Sequence, residues 1–154
     1  MTKTRFSVTH KDPTLVELMS DTDHRTLAIW AIDCAERVMP YFEQAYPDDQ
    51  RPRQALETLE HWIETGEFSM DAIRGASLAS HAAAREVRED NAARSAARST
   101  GQAVATAHVP AHSIGAANYA VQAVVRATDD AEVEAAIARE REWQLKRLRE
   151  LRSM

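Results

Sequence analysis

An all-α fold follows from three features of the 154-residue sequence. Alanine, glutamate and arginine are abundant, and only four glycines and five prolines interrupt them, a composition that favours helix. β-branched residues are sparse and never alternate with polar ones over the length of a strand. Apolar residues recur instead at spacings of three and four, punctuated by Asp, Pro and Gly. Together these predict a compact single-domain bundle of about six to seven helices spanning residues 1–154. Hydrophobic residues at 44% and charged residues at 28% are globular values, so wholesale disorder is not expected.

"KDPTLVELM" opens a short helix, with Asp12 as N-cap and Pro13 at the first helical position. Residues 1–11 ahead of it read as a mobile arm. A long helix is predicted from about Asp23 to Tyr46. Its apolar residues Leu27, Trp30, Ala31, Cys34, Val38, Met39 and Phe42 cover more than half the circumference, which predicts a central place in the bundle. Pro40 must bend or break this helix near Val38, and Pro47 ends it.

"DDQRPRQALETLEHWIETG" is the clearest helix. Asp48 or Asp49 can cap it, Leu56, Leu59, Trp62 and Ile63 line one face, and Gly66 follows its end. Glu57, Glu60, Glu64 and, past the glycine, Glu67 lie off that stripe. The next helix starts at Ser69 and buries Ile73, Ala76, Ser80, Ala83 and Val87. Asn91 either ends it or caps its successor. Pro110 then separates "NAARSAARSTGQAVATAHV" from "AHSIGAANYAVQAVVRAT". The last helix starts at Asp129 or Asp130. Its apolar line of Val133, Ile137, Leu145, Leu148 and Leu151 is interrupted by Arg141. Residues 139–154 therefore either leave the core to contact a second chain through Trp143, Leu145 and Leu148, or form a frayed, charged end.

Twelve of the 35 residues from Asn91 to Val125 are alanine, as are six of the thirteen from Ala72 to Ala84. Side chains this small let helix axes approach to about 8 Å, the near limit of helix packing. Close packing explains the composition without any ligand.

The net charge of −5 is unevenly placed. From Glu43 to Asp71, eight acidic residues meet only Arg51 and Arg53, a local balance of −6, whereas Arg139 to Arg152 carries +3. An acidic belt disfavours nucleic-acid binding, which needs clustered Lys and Arg. The basic tail alternates in sign and reads as a solvated face with pairs such as Glu142–Lys146. Cys34 is the single cysteine and lies in an apolar run, so a buried, inert thiol is expected and no intramolecular disulfide is possible. No run of about 18 apolar residues spans a membrane, and the N-terminus lacks the apolar core of a signal peptide. A soluble, cytoplasmic protein is expected.

The candidate chemistry is confined to histidines. His108 and His112 stand four apart, as in a zinc protease, but Pro110 breaks the turn and no glutamate follows the first. His108 is expected near the end of one helix, where an imidazole can bond the last carbonyls, and His112 at the start of the next. A buried His81 needs partners, and Asp33 or Glu36 can supply a carboxylate. Two readings follow: a metal or acid–base site built from His81, His108 and Asp33 with Glu36, or a polar network that fixes helix register. The second is preferred, with no cofactor, no metal and no catalytic residue. Glu57, Glu60, Glu64 and Glu67 are the candidate partner-binding residues, with Trp143 as a possible interface anchor.

Three stretches carry a resemblance: "LAIWAIDCAERVMPYFEQAYPDDQRPRQALE", "AIRGASLASHAAAREV" and "GQAVATAHVPAHSIGAANYAVQAV". From about Leu27 to Arg126 the chain resembles an α-helical, single-domain immunity-protein family of bacterial polymorphic toxin systems. The resemblance implies a cytoplasmic protein that neutralises a cognate protein toxin by binding it, without catalysis. It supplies no functional residues. Trp30, Asp33, Cys34, Arg37, Tyr41 and Pro52, conspicuous in the matching stretches, read as structural, with Asp33 or Glu36 free to pair with Arg85 or Arg88.

Overall fold

Pro40 sets the number of helices. It has no N–H to give the carbonyl of Glu36, so the long helix predicted over 23–46 breaks rather than bends. In the computed structural model, which describes residues 6–154, this leaves α2 (His24–Glu36), a turn at Arg37 and Val38, and a short α3 (Met39–Glu43). The remaining elements are α1 (Pro13–Ser20), α4 (Arg51–Thr65), α5 (Met70–Glu86), α6 (Ala92–Ala105), α7 (His112–Arg126), a 3₁₀ turn (Asp130–Glu132) and α8 (Val133–Arg152). Among the described residues there are thus eight α-helices and no strand. None of these helices is long and apolar enough to cross a membrane.

The helix starts follow local chemistry. Asp12, Asp23, Ser69 and Asn91 each accept a hydrogen bond from the backbone N–H three residues on, at 2.7–3.2 Å. At the start of α4, Gln50 gives no side-chain cap, but Asp49 accepts from the backbone N–H of Arg51 at 3.1 Å, as expected, and also holds its guanidinium at 2.6 Å. Gly66 closes α4 at φ 72°, in the left-handed region that a side chain would resist.

The centre belongs to α6, not to the α2–α3 segment. Ala93, Ala96, Ala97, Ser99, Thr100, Gly101, Ala103 and Val104 are all buried. Neighbours α2, α3, α4, α5 and α7 surround the helix. Only a helix with almost no side-chain volume can accept neighbours on so many sides. Its few polar groups are satisfied inside: Ser99 donates to the Ala116 carbonyl at 2.8 Å and Ser77 to that of Gly101 at 2.9 Å. α2 flanks this centre, burying Trp30 and Cys34 completely.

The end of α8 is inside the fold, which corrects the expectation of a projecting or frayed tail. Leu148 is fully buried and Leu151 nearly so, packed with Leu15, Leu27, Trp30 and Cys34. Arg141, which interrupts the apolar line, points inward. It donates to the Gln144 side-chain oxygen at 2.7 Å and to that of Asn118 at 2.8 Å. Gln144 in turn donates to the Ala117 carbonyl, and its own carbonyl accepts from the Trp30 indole at 2.9 Å. A satisfied polar network can occupy a core position that a hydropathy count assigns to solvent. Ion pairs finish the docking: Arg37 grips the buried Glu140 with two bonds of 2.8 and 2.9 Å, and Arg147 meets Asp33 at 2.7 Å. Asp33 and Glu36 thus pair with Arg147 and Arg53, not with Arg85 or Arg88. α8 thus turns Glu140 and Arg147 toward other parts of the fold, and its internal pair among the described residues is Arg147–Glu150 at 3.4 Å, not Glu142–Lys146.

The N-terminal arm is partly tied down as well. The Asn118 amide donates to the carbonyls of Val8 (3.0 Å) and His10 (2.9 Å). Phe6 packs beside Val121, Val125 and Val133. Residues 1–5 of the predicted arm lie outside the described residues.

Candidate partner-binding face

The amphipathic pattern of α4 decides what it shows to solvent. Pro52, Ala55, Leu56 and Leu59 are buried against α2 and α6, with Trp62 and Ile63 half-buried beside them. Glu57, Glu60 and Glu64 consequently face outward, and Glu67 is exposed just beyond Gly66. The helix is fixed in place. Arg53 reaches across to Glu43 at 2.9 Å and to Glu36, and Arg25 donates to the Ile63 carbonyl at 3.2 Å. The His24 ring lies 4.7 Å from that of Trp62.

These contacts neutralise the cations of the region and leave its carboxylates unmatched. Arg53 is held protonated by the hydrogen bonds it donates to Glu43 and Glu36, and Arg51 by those it donates to Asp49 and Glu86. Glu60 shows the excess. Partial burial and repulsion from Glu36, Glu64 and Glu57 raise its carboxyl above the usual value. His61 approaches Glu67 at 3.7 Å. The α4 face is therefore a rigid surface of like charge, suited to meeting a cationic surface.

The histidine site does not assemble. His81 lies between α5 and α6, where Arg98 donates to its Nδ1 at 2.9 Å. Burial and the nearby guanidiniums of Arg98 and Arg85 push its pKa down to about 4, so the ring is neutral. Asp33 faces α8 and its Arg147. His108 is exposed past the end of α6, stacked on Phe68 with ring centroids 6.1 Å apart. The carbonyl cap expected of His108 comes from His24, whose Nε2 bonds the Thr106 carbonyl. His112 does begin α7, with its Nδ1 2.9 Å from the Gln102 side-chain oxygen. Among the described residues no group of three His, Cys, Asp or Glu side chains is placed to hold a metal ion. The partner of His81 is thus Arg98 rather than the carboxylate of Asp33 or Glu36, which bind Arg147 and Arg53.

Trp143 is half-buried in the cluster that contains Trp30 and Cys34, with the Arg37 guanidinium 4.1 Å above its ring. Its ring, like Leu145 and Leu148, is engaged within the chain.

Residues 17–151 match the protein family described as "Imm-5 like putative immunity protein". The chain belongs to this immunity-protein family. The match takes in the second half of α1 and nearly all of α8, wider than the Leu27–Arg126 resemblance. No curated protein sequence and no solved structure matches the chain.

Sequence reasoning missed a set of exposed apolar residues beside this face: Phe68, Met70, Leu78 and Val109. A signal existed for one of them. Leu78 lies roughly 140° around α5 from Ile73, at 100° per residue, so it cannot share the buried line.

Proposed function

We propose that this immunity protein neutralises a cognate bacterial toxin by stoichiometric protein–protein binding, in the cytoplasm and with no catalytic step. The observation that carries the reading is the family match over residues 17–151. The α4 face supports it and offers a contact surface: Glu57, Glu60 and Glu64, exposed on a helix braced by Arg53 and Arg25, with Glu67 just past its end. Carboxylates on a rigid surface accelerate encounter with a cationic partner and disfavour acidic ones. A pre-formed helix also spares the ordering cost that a flexible binder meets on association.

The test is co-expression with a candidate toxin domain, sought among the genes that flank this one. Cells producing both are expected to grow, and the two chains to elute together in a 1:1 complex. Absence of both protection and complex would overturn the reading. Protection at a small fraction of the toxin's concentration, with the toxin chemically altered, would point to an enzyme instead.

A further inference from the structure

Seven large hydrophobic side chains stay exposed among the described residues, and four of them gather in one place. Phe68 (48% exposed) and Met70 lie at the α4–α5 corner, Leu78 (57%) on the outer side of α5, and Val109 just past α6. The stacked Phe68 and His108 rings join the two sides. Between α5 and the end of α6 opens a pocket of about 320 Å³, lined by Met70, Ile73, Arg74, Leu78 and His108, among others. A single exposed leucine is ordinary, but contiguous apolar residues around a pocket mark a contact surface.

Charge says what covers it. Glu67 precedes Phe68, Asp71 follows Met70, and Glu64 lies one turn back on α4, so the acidic face runs directly into the patch. A second copy of this chain is disfavoured, because pairing the patch with itself would bring those carboxylates together. Within the pocket the Ser77 hydroxyl already donates to the Gly101 carbonyl. An apolar occupant therefore suits it better than a polar one. Arg74 on the rim makes no ion pair with a described residue and can accept a carboxylate of the partner.

We infer that this patch is the apolar anchor of the partner interface. The inference rests on the binding reading above. Its occupant is a protein surface with positive charge opposite Glu64, Glu67 and Asp71, projecting one aliphatic or aromatic side chain into the pocket. The carboxylates govern encounter and the pocket governs residence, the division usual between rim charges and buried anchors.

The test titrates the same candidate toxin domain, purified, into four proteins: wild type, L78E, F68A and the double variant E60K/E64K. Because Leu78 and Phe68 are exposed, L78E and F68A should keep the wild-type thermal midpoint, checked by circular dichroism. L78E is expected to weaken binding at least tenfold, on the order of a hot-spot loss, mainly through faster dissociation, and F68A to weaken it severalfold. E60K/E64K should slow association. Unchanged affinity in L78E and F68A beside a weakened E60K/E64K would overturn the anchor and leave the binding reading standing. No binding by the wild type would overturn both. A wild-type dimer in solution that L78E abolishes would replace the proposed occupant with a second copy.

Discussion

His81 shows how a single buried side chain couples this fold to pH. Its ring lies against Gly101 and accepts from Arg98, so protonation would set a cation beside two guanidiniums. The folded pKa is about 4 against 6.5 for the free group. A depressed folded pKa means that the unfolded chain binds the extra proton first. The stabilisation from the neutral ring is therefore complete above pH 6.5 and lost progressively as pH falls toward 4. His112, also lowered by burial, adds in the same direction. Thermal midpoints measured from pH 7 to pH 4 should fall, and H81Q should fall less steeply over the same range. Equal slopes in the two proteins would contradict this account of His81. Cys34 belongs to the same scale: burial raises its thiol well above the ordinary value, in keeping with an inert core residue.

At the scale of elements, the packing of α6 turns on what each glycine faces. A β-carbon on Gly101 would stand 2.7 Å from the His81 ring, which is itself pinned by Arg98. A β-carbon on Gly115 would meet only the side chain of Gln102, which can swing away at the cost of its bond to His112. Alanine gains up to about 1 kcal/mol over glycine in a helix, while overpacking costs about 1–3 kcal/mol. G101A is thus expected to destabilise by about 1–2 kcal/mol and G115A to stay within about 0.5 kcal/mol of wild type. Urea unfolding distinguishes them, and a G101A protein as stable as G115A would show that the α5–α6 contact is looser than described.

The same elements show what a sequence can and cannot disclose. Caps at Asp12, Asp23, Ser69 and Asn91, the break at Pro40 and the stop at Gly66 depend on neighbours a few residues away, and each is legible locally. The outward face of α4 is legible for the same reason, because Glu57, Glu60 and Glu64 fall out of phase with Leu56 and Leu59. Partners far apart in the chain are not. Nothing near Arg141 announces that Asn118 and Gln144 will enclose it, and nothing near Asp33 points to Arg147. The central place of α6 escapes for a different reason: alanine carries little hydrophobic signal, and its value lies in the volume it leaves for others. The patch at Phe68 and Leu78 was overlooked because it forms from a corner, a helix side and a helix end.

The whole molecule separates its duties. The interior is closed by polar pairs such as Arg37–Glu140 and the Arg141–Asn118–Gln144 network, and His24, His81 and His112 are engaged with other helices. The proposed recognition surface lies on the outside, where the acidic face of α4 meets the apolar corner before α5. Hydrogen exchange of the free protein, and of the protein mixed with the candidate toxin domain of the co-expression test, tests this division most directly. The account predicts slowed exchange in α4, in residues 66–70 and along the first half of α5, with α7 and α8 unchanged. Slowed exchange confined to α7 and α8, with α4 and the α4–α5 corner as in the free protein, would contradict it.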